Sequence, residues 1–243
     1  MNGELEELLV CRWPENFRGR DKPITLSLMA FGPECGDGWF WLLDALCEVL
    51  TEHASALGRP PLEFLQVKEK YATLRVYVVG GDEYDDGAIW LAENLSARIC
   101  ETSGAPGVGC VKGGWYGTRA PIIASREGWT VLSGSLGRSA RRLSPVPTPE
   151  AATILKEAWP EVVRCDPKIA PGYFDIADLL CARLDDKLNR GEAAASRILS
   201  LGAADGELVV SVDAVRDLDL GAVEMAIAMS RRTDPVTGAS LAP

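Results

Sequence analysis

The chain has 243 residues, 47% of them apolar and 25% charged, a composition able to bury a sizeable core. No apolar run approaches the roughly 20 residues needed to span a bilayer, and the acidic start "MNGELEELLVCRW" lacks a signal peptide's positive head, so cytoplasmic residence is expected. The net charge of −10 argues against general nucleic-acid affinity and suits a protein partner with a basic surface.

The charge is unevenly spread. Residues 1–104 carry 9 Lys/Arg against 18 Asp/Glu, residues 105–147 carry 6 against 1, and residues 148–243 carry 10 against 16. Two acidic lobes thus flank a basic connector.

In chain order, a first short amphipathic helix is predicted to end at "WPENFR", because proline disfavours helical geometry in the residue before it. "KPITLSLMAFGPECGD" alternates like a strand ending in a turn. A long helix is predicted over about 40–57, then two strands in "LEFLQVKEK" and "ATLRVYVVG", then a helix over about 84–101. The segment 105–147 reads as short strands or a hairpin, and "GRSARRLSPVPTP" within and just beyond it as an extended linker. A second helix–strand series follows: a short helix ending at "WPEVVR", a helix over about 173–191, strands in "SRILSLGA" and "GELVVSVDA", and a helix over about 218–232.

The two series match. Shifting the chain by 134 positions aligns Gly38, Phe40, Asp44, Leu46, Cys47 and Leu50 with Gly172, Phe174, Asp178, Leu180, Cys181 and Leu184. The match runs through Leu74 with Leu208, Gly87 with Gly221, Ser96 with Ser230 and Arg98 with Arg232, giving 17 identities over 67 positions. Composition alone would give about 5. The expected fold class is therefore α+β, with two tandem α-α-β-β-α repeats, at 1–104 and 148–243, arising by internal duplication. Strands of both repeats could join in one sheet about a pseudo-twofold axis.

The seven cysteines are scattered, and no CxxC pair starts a zinc or redox site. Cys47 and Cys181 lie on apolar helix faces and are expected in the core. His53, the only histidine, sits near a helix end, where its charge is favourable, and "GGDEYDDG" at 80–87 reads as a solvated turn before a helix.

"ECGDGWFWLLDALC", "QVKEKYATLRVY", "LSARICETSGAPG" and "GGWYGTRA" resemble a family of small, uncharacterised bacterial and prophage proteins. The resemblance covers about residues 4–123. It implies a zinc ribbon of four Cys/His ligands, but the corresponding positions here are Cys100, Ser103, Ala120 and Ile123. One ligand of four remains, so no metal and no cofactor are expected.

Candidate contact residues come from letters of the first repeat that the second lacks, and from the connector, which has no counterpart. A Gly-Asp-Gly turn before a helix is expected to expose Asp37 and Trp39 together; Lys68, Lys70 and Arg75 share one face of a strand pair; Trp115 and Arg119, in the connector, are expected nearby. These point to a non-enzymatic binding protein that captures a macromolecular partner, as immunity and phage anti-defence proteins do. Two alternatives stand beside it. One is a nucleotide or nucleic-acid binder using the basic connector, with Trp115 and Tyr116 stacking. The other is an enzyme built on Asp37, Lys68, Glu69 and Arg75.

Overall fold

In the computed structural model, residues 1–132, 150–189, 196–213 and 216–242 are described, and the chain is a mixed α+β protein. The proposed linker, 137–149, lies outside the described residues.

Helix α1 (Gly3–Arg12) is capped by the Asn2 side chain and stops before Trp13–Pro14. Helix α2 (Phe40–Ala56) is buried along most of its length and leads to the antiparallel hairpin β1 (Glu63–Lys70) and β2 (Thr73–Val79). Helix α3 (Glu83–Ser96) follows, ending earlier than expected. The chain turns there so that Ile99 bridges Pro106.

Strands β3 (Val108–Lys112), β4 (Trp115–Arg119) and β5 (Thr130–Val131) form a small sheet, with an unanticipated short helix α4 (Pro121–Glu127) between the last two. The second series comprises α5 (Ala151–Ala158), α6 (Phe174–Asn189), β6 (Ile198–Ala204), β7 (Glu207–Val212) and α7 (Asp217–Ser230).

Two expectations need correction. Residues 22–33 form turns and a 3-10 segment at Leu28–Phe31, not a strand; only Glu34 bridges β1, and Ile24, Leu26 and Phe31 stay exposed. The hairpins β1–β2 and β6–β7 are separate sheets among the described residues, not one joined sheet. The helices join the two series instead. Side chains of α2, α3, α6 and α7 pack in one continuous core, with Cys47 and Cys181 fully buried in it.

The α3–α7 crossing is unusually close. A Cβ on Gly87 would come within 3.0 Å of the Leu218 carbonyl, and one on Gly221 would meet the Tyr84 carbonyl the same way. Leu218 and Tyr84 each precede the partner glycine by three positions, so the contact is reciprocal.

Matched hydrogen bonds accompany it. Ser96 Oγ accepts from the Leu74 amide at 2.7 Å, and Ser230 Oγ from the Leu208 amide at 2.8 Å. Trp13 Nε1 donates to Asp44 at 2.9 Å, and Trp159 Nε1 to Asp178 at 2.6 Å. Arg98 crosses to Asp178, while Arg232 crosses to Asp44 and Glu48. The correspondence extends past residue 104: the Gly107 amide donates to the Arg98 carbonyl, and the Leu241 amide to that of Arg232.

Candidate functional site

Among the described residues, each two-residue hairpin turn has both central residues at positive φ. Two use pairs suited to that geometry, Gly113–Gly114 and Asp205–Gly206. The β1–β2 turn uses Tyr71 (φ 52°) and Ala72 (φ 64°), which the left-handed region disfavours because of their Cβ atoms. Surrounding groups hold it there. The Ala72 amide donates to Glu69 Oε1 at 2.6 Å, and Thr118 Oγ1 donates to the Ala72 carbonyl at 2.7 Å. Burial pushes the Glu69 carboxyl up in pKa, with the Ala72 amide pulling the other way.

The turn presents Tyr71 at 66% exposure, edge-on to Tyr116 at 5.9 Å. Trp115 beside it is 78% exposed. Strand alternation turns Val67 inward and Lys68, Lys70, Arg75 and Tyr77 outward. Lys70 Nζ lies 5.9 Å from the Tyr71 ring and Lys68 Nζ 5.2 Å from that of Tyr77. Lys68 is registered directly opposite Arg75, a like-charge pair of the kind that weakens a strand pairing. Neither lysine forms an ion pair with the described residues; Lys68 donates to Gln66 at 2.8 Å.

The structure thus brings Lys68, Lys70, Tyr71 and Tyr116 onto one rim, while Trp115, next to Tyr116 on β4, alternates onto the other face of that strand at the same hairpin tip. Arg75 leans toward Glu93, 3.7 Å away, on α3. Arg119 is largely covered, pairing with Glu101 at 2.9 Å and lying over the Trp129 ring at 4.6 Å. Asp37 accepts from the Asn2 amide at 2.6 Å and anchors the start of α1. Trp39 is fully buried and donates from Nε1 to the Ile99 carbonyl at 2.9 Å, so it is a core residue. A tryptophan after a glycine turn reads the same in sequence whether it faces in or out. Tyr71, the most informative rim residue, was legible only as the end of an alternating run.

The positions resembling a zinc ribbon also assemble in part. Cys100 Sγ is 3.3 Å from Thr102 Oγ1. Burial disfavours its thiolate, but hydrogen bonds from Ser103, Thr102 and the Ala120 amide bring its pKa below the ordinary thiol value. Asp234 takes the matching position in the second series, its Oδ1 accepting from the Val236 and Thr237 amides.

A second polar cluster surrounds the start of α3, where a solvated turn was expected. Asp82 caps the helix in a capping box with Asp85, which is fully buried. His53 Nε2 lies 2.9 Å from Asp82 Oδ2, and its ring stacks on Tyr84 at 3.8 Å. Among the described residues, His53, Asp82 and Asp85 form the group whose potential ligand atoms lie within 4.8 Å of one another. Arg59 Nη2 already spans both carboxylates, at 3.2 and 2.5 Å, and supplies the charge a cation would bring. No helix among the described residues is long and apolar enough to cross a membrane.

Comparison with known family models, curated proteins and solved structures finds no match to this chain.

Proposed function

We propose that the chain is a non-catalytic binding protein, built by tandem duplication, whose first half captures a macromolecular partner on the rim of Lys68, Lys70, Tyr71 and Tyr116, with Trp115 on the adjoining hairpin tip. The observation that carries the reading is the Tyr71–Ala72 turn. Its counterpart 134 positions on is Asp205–Gly206, a pair that adopts the same geometry readily. Left-handed non-glycine residues cost of order 1 kcal/mol each and cluster where function retains them.

The same hairpin carries the Lys68–Arg75 opposition, where the second hairpin has Gly202 opposite Val209. Unfavourable backbone and unfavourable charge therefore coincide on one surface and are missing from its counterpart. The reciprocal Gly87/Gly221 and Arg98/Arg232 contacts support duplication, with one copy keeping the fold and the other also carrying a surface. The rim's charge favours an anionic partner, the opposite of the partner suggested by the net charge of −10. Neutralising or inhibiting that partner, in the manner of an immunity or anti-defence protein, is the role this reading suggests.

The test is capture from cell lysate by the wild-type chain and by the double variant Tyr71→Asp/Ala72→Gly, which copies the second hairpin. Partners retained by the wild type and lost by the variant are expected. An identical capture profile for both would remove the rim from the function.

A further inference from the structure

Building on the rim reading above, the chemistry of the two hairpin tips narrows the partner. Outward positions of β1 and β2 near the turn are Gln66, Lys68, Lys70, Thr73, Arg75 and Tyr77, none of them acidic, in a chain with 35 Asp and Glu. Glu69, the acidic residue in that run, is turned inward to hold the Ala72 amide. The second tip, Lys112 to Tyr116, is equally free of carboxylates.

The large apolar groups exposed on these tips are all rings: Tyr71, Tyr77, Trp115 and Tyr116. The backbone between Lys112 and Trp115 is Gly113–Gly114, where an added Cβ would meet nothing, and Trp115 itself is 78% exposed. Lys68 donates to Gln66 and Lys112 to the Glu127 carbonyl, but neither they nor Lys70 form an ion pair among the described residues. Projecting rings beside such lysines match a ligand that alternates flat aromatic groups with anionic links.

We propose that this rim and the adjoining β3–β4 tip bind single-stranded nucleic acid, with bases stacking on Tyr71 at the rim and on Trp115 at the tip, and phosphates held by Lys68, Lys70 and Lys112. An acidic peptide would satisfy the lysines but leave the rings without matching faces. A duplex would satisfy the lysines yet keep its bases stacked on one another, away from Trp115. The acidic remainder of the molecule repels the strand elsewhere, which confines binding to the rim and makes it steeply salt-dependent.

The experiment is fluorescence anisotropy with a labelled oligothymidylate of about 15 nucleotides at about 50 mM salt, using the full chain. Wild type is expected to bind. Trp115→Ala and Tyr71→Asp/Ala72→Gly should each weaken binding by about tenfold or more, the loss of one stacked base. Lys68→Gln/Lys70→Gln should weaken it and flatten the log–log salt dependence by about 1.4, two phosphate contacts on a single strand. Thermal melts of each variant confirm folding, and the turn variant is expected to melt no lower than wild type.

No binding by the wild type, or binding indifferent to all three variants, overturns the proposal. Equal competition by polyglutamate of matched charge also overturns it and assigns the rim to an acidic protein. In that case rim-dependent capture from lysate would persist, so the broader reading stands or falls by its own test.

Discussion

Arg98 Nη2 donates to Asp178 Oδ2 at 2.6 Å across the boundary between the two halves, and both groups are almost fully buried. Arg232 makes the reverse crossing to Asp44 at 2.7 Å. Asp44 and Asp178 each also receive an indole N–H from the tryptophan of their own half. Breaking such a pair strands a buried charge. Arg98→Ala is expected to destabilise the protein by about 3–5 kcal/mol, while Arg98→Met/Asp178→Leu should recover much of that loss. Urea unfolding measures both; a cost below about 1 kcal/mol for Arg98→Ala would show that the crossing is not a principal contact.

The α3–α7 crossing allows no side chain at its centre. Gly87→Ala places a methyl group against the Leu218 carbonyl, and Gly221→Ala does the same against that of Tyr84. Helix propensity favours alanine by about 1 kcal/mol, but backbone overlap outweighs it. Each substitution is expected to cost about 3 kcal/mol or more, because relief requires the helices to separate and the packed core between them to open. Alanine variants as stable as wild type would mean that the crossing relaxes freely.

Ala72→Gly has the opposite sign. It removes a Cβ from a φ of 64° while keeping the amide and carbonyl contacts to Glu69 and Thr118. A gain of about 1 kcal/mol is expected, net of the added freedom of glycine in the unfolded chain. Denaturant midpoints decide it, and a loss of stability would show that the turn is not strained at this residue.

Asp82 governs an acid-sensitive contact. Burial works against its ionisation, but hydrogen bonds from His53, the Asp85 amide and Arg59 outweigh it and lower the pKa from 3.8 to about 2. A carboxyl depressed on folding stabilises the native state above its unfolded pKa and loses that effect as pH falls through its folded one. The window is therefore about pH 4 to 2. Because Asp82 is substantially exposed, solvent screening reduces the contribution to about 1 kcal/mol. Neighbouring Asp85, raised in pKa by burial despite its bonds to the Asp82 amide and Arg59, acts in the opposite sense. Asp82→Asn preserves a good helix cap, so its unfolding free energy should fall less between pH 4 and 2 than the wild type's. Parallel pH profiles for the two proteins would assign the acid sensitivity elsewhere.

Sequence alone determined the order of the main helices and strands, because each series writes its own periodicity and its own stops. Trp13–Pro14 and Trp159–Pro160 end the first helices, and alternation at Val67, Lys68, Glu69 and Lys70 sets the strand faces. Repetition of Asp44, Gly87, Ser96 and Arg98 at Asp178, Gly221, Ser230 and Arg232 was equally legible. What those letters do was decided only in three dimensions. The glycines clear a helix crossing, the serines hold a hairpin, and each arginine serves the aspartate of the opposite half, partners 80 and 188 residues away in sequence. The same limit applies to the site. Trp39 and Trp115 are alike as letters, but one is enclosed by core and bonded to Ile99, while the other stands clear on a hairpin tip. Exposure depends on which distant segments pack against a residue, and the left-handed turn that lifts Tyr71 beside Tyr116 depends on Thr118, 46 positions beyond Ala72.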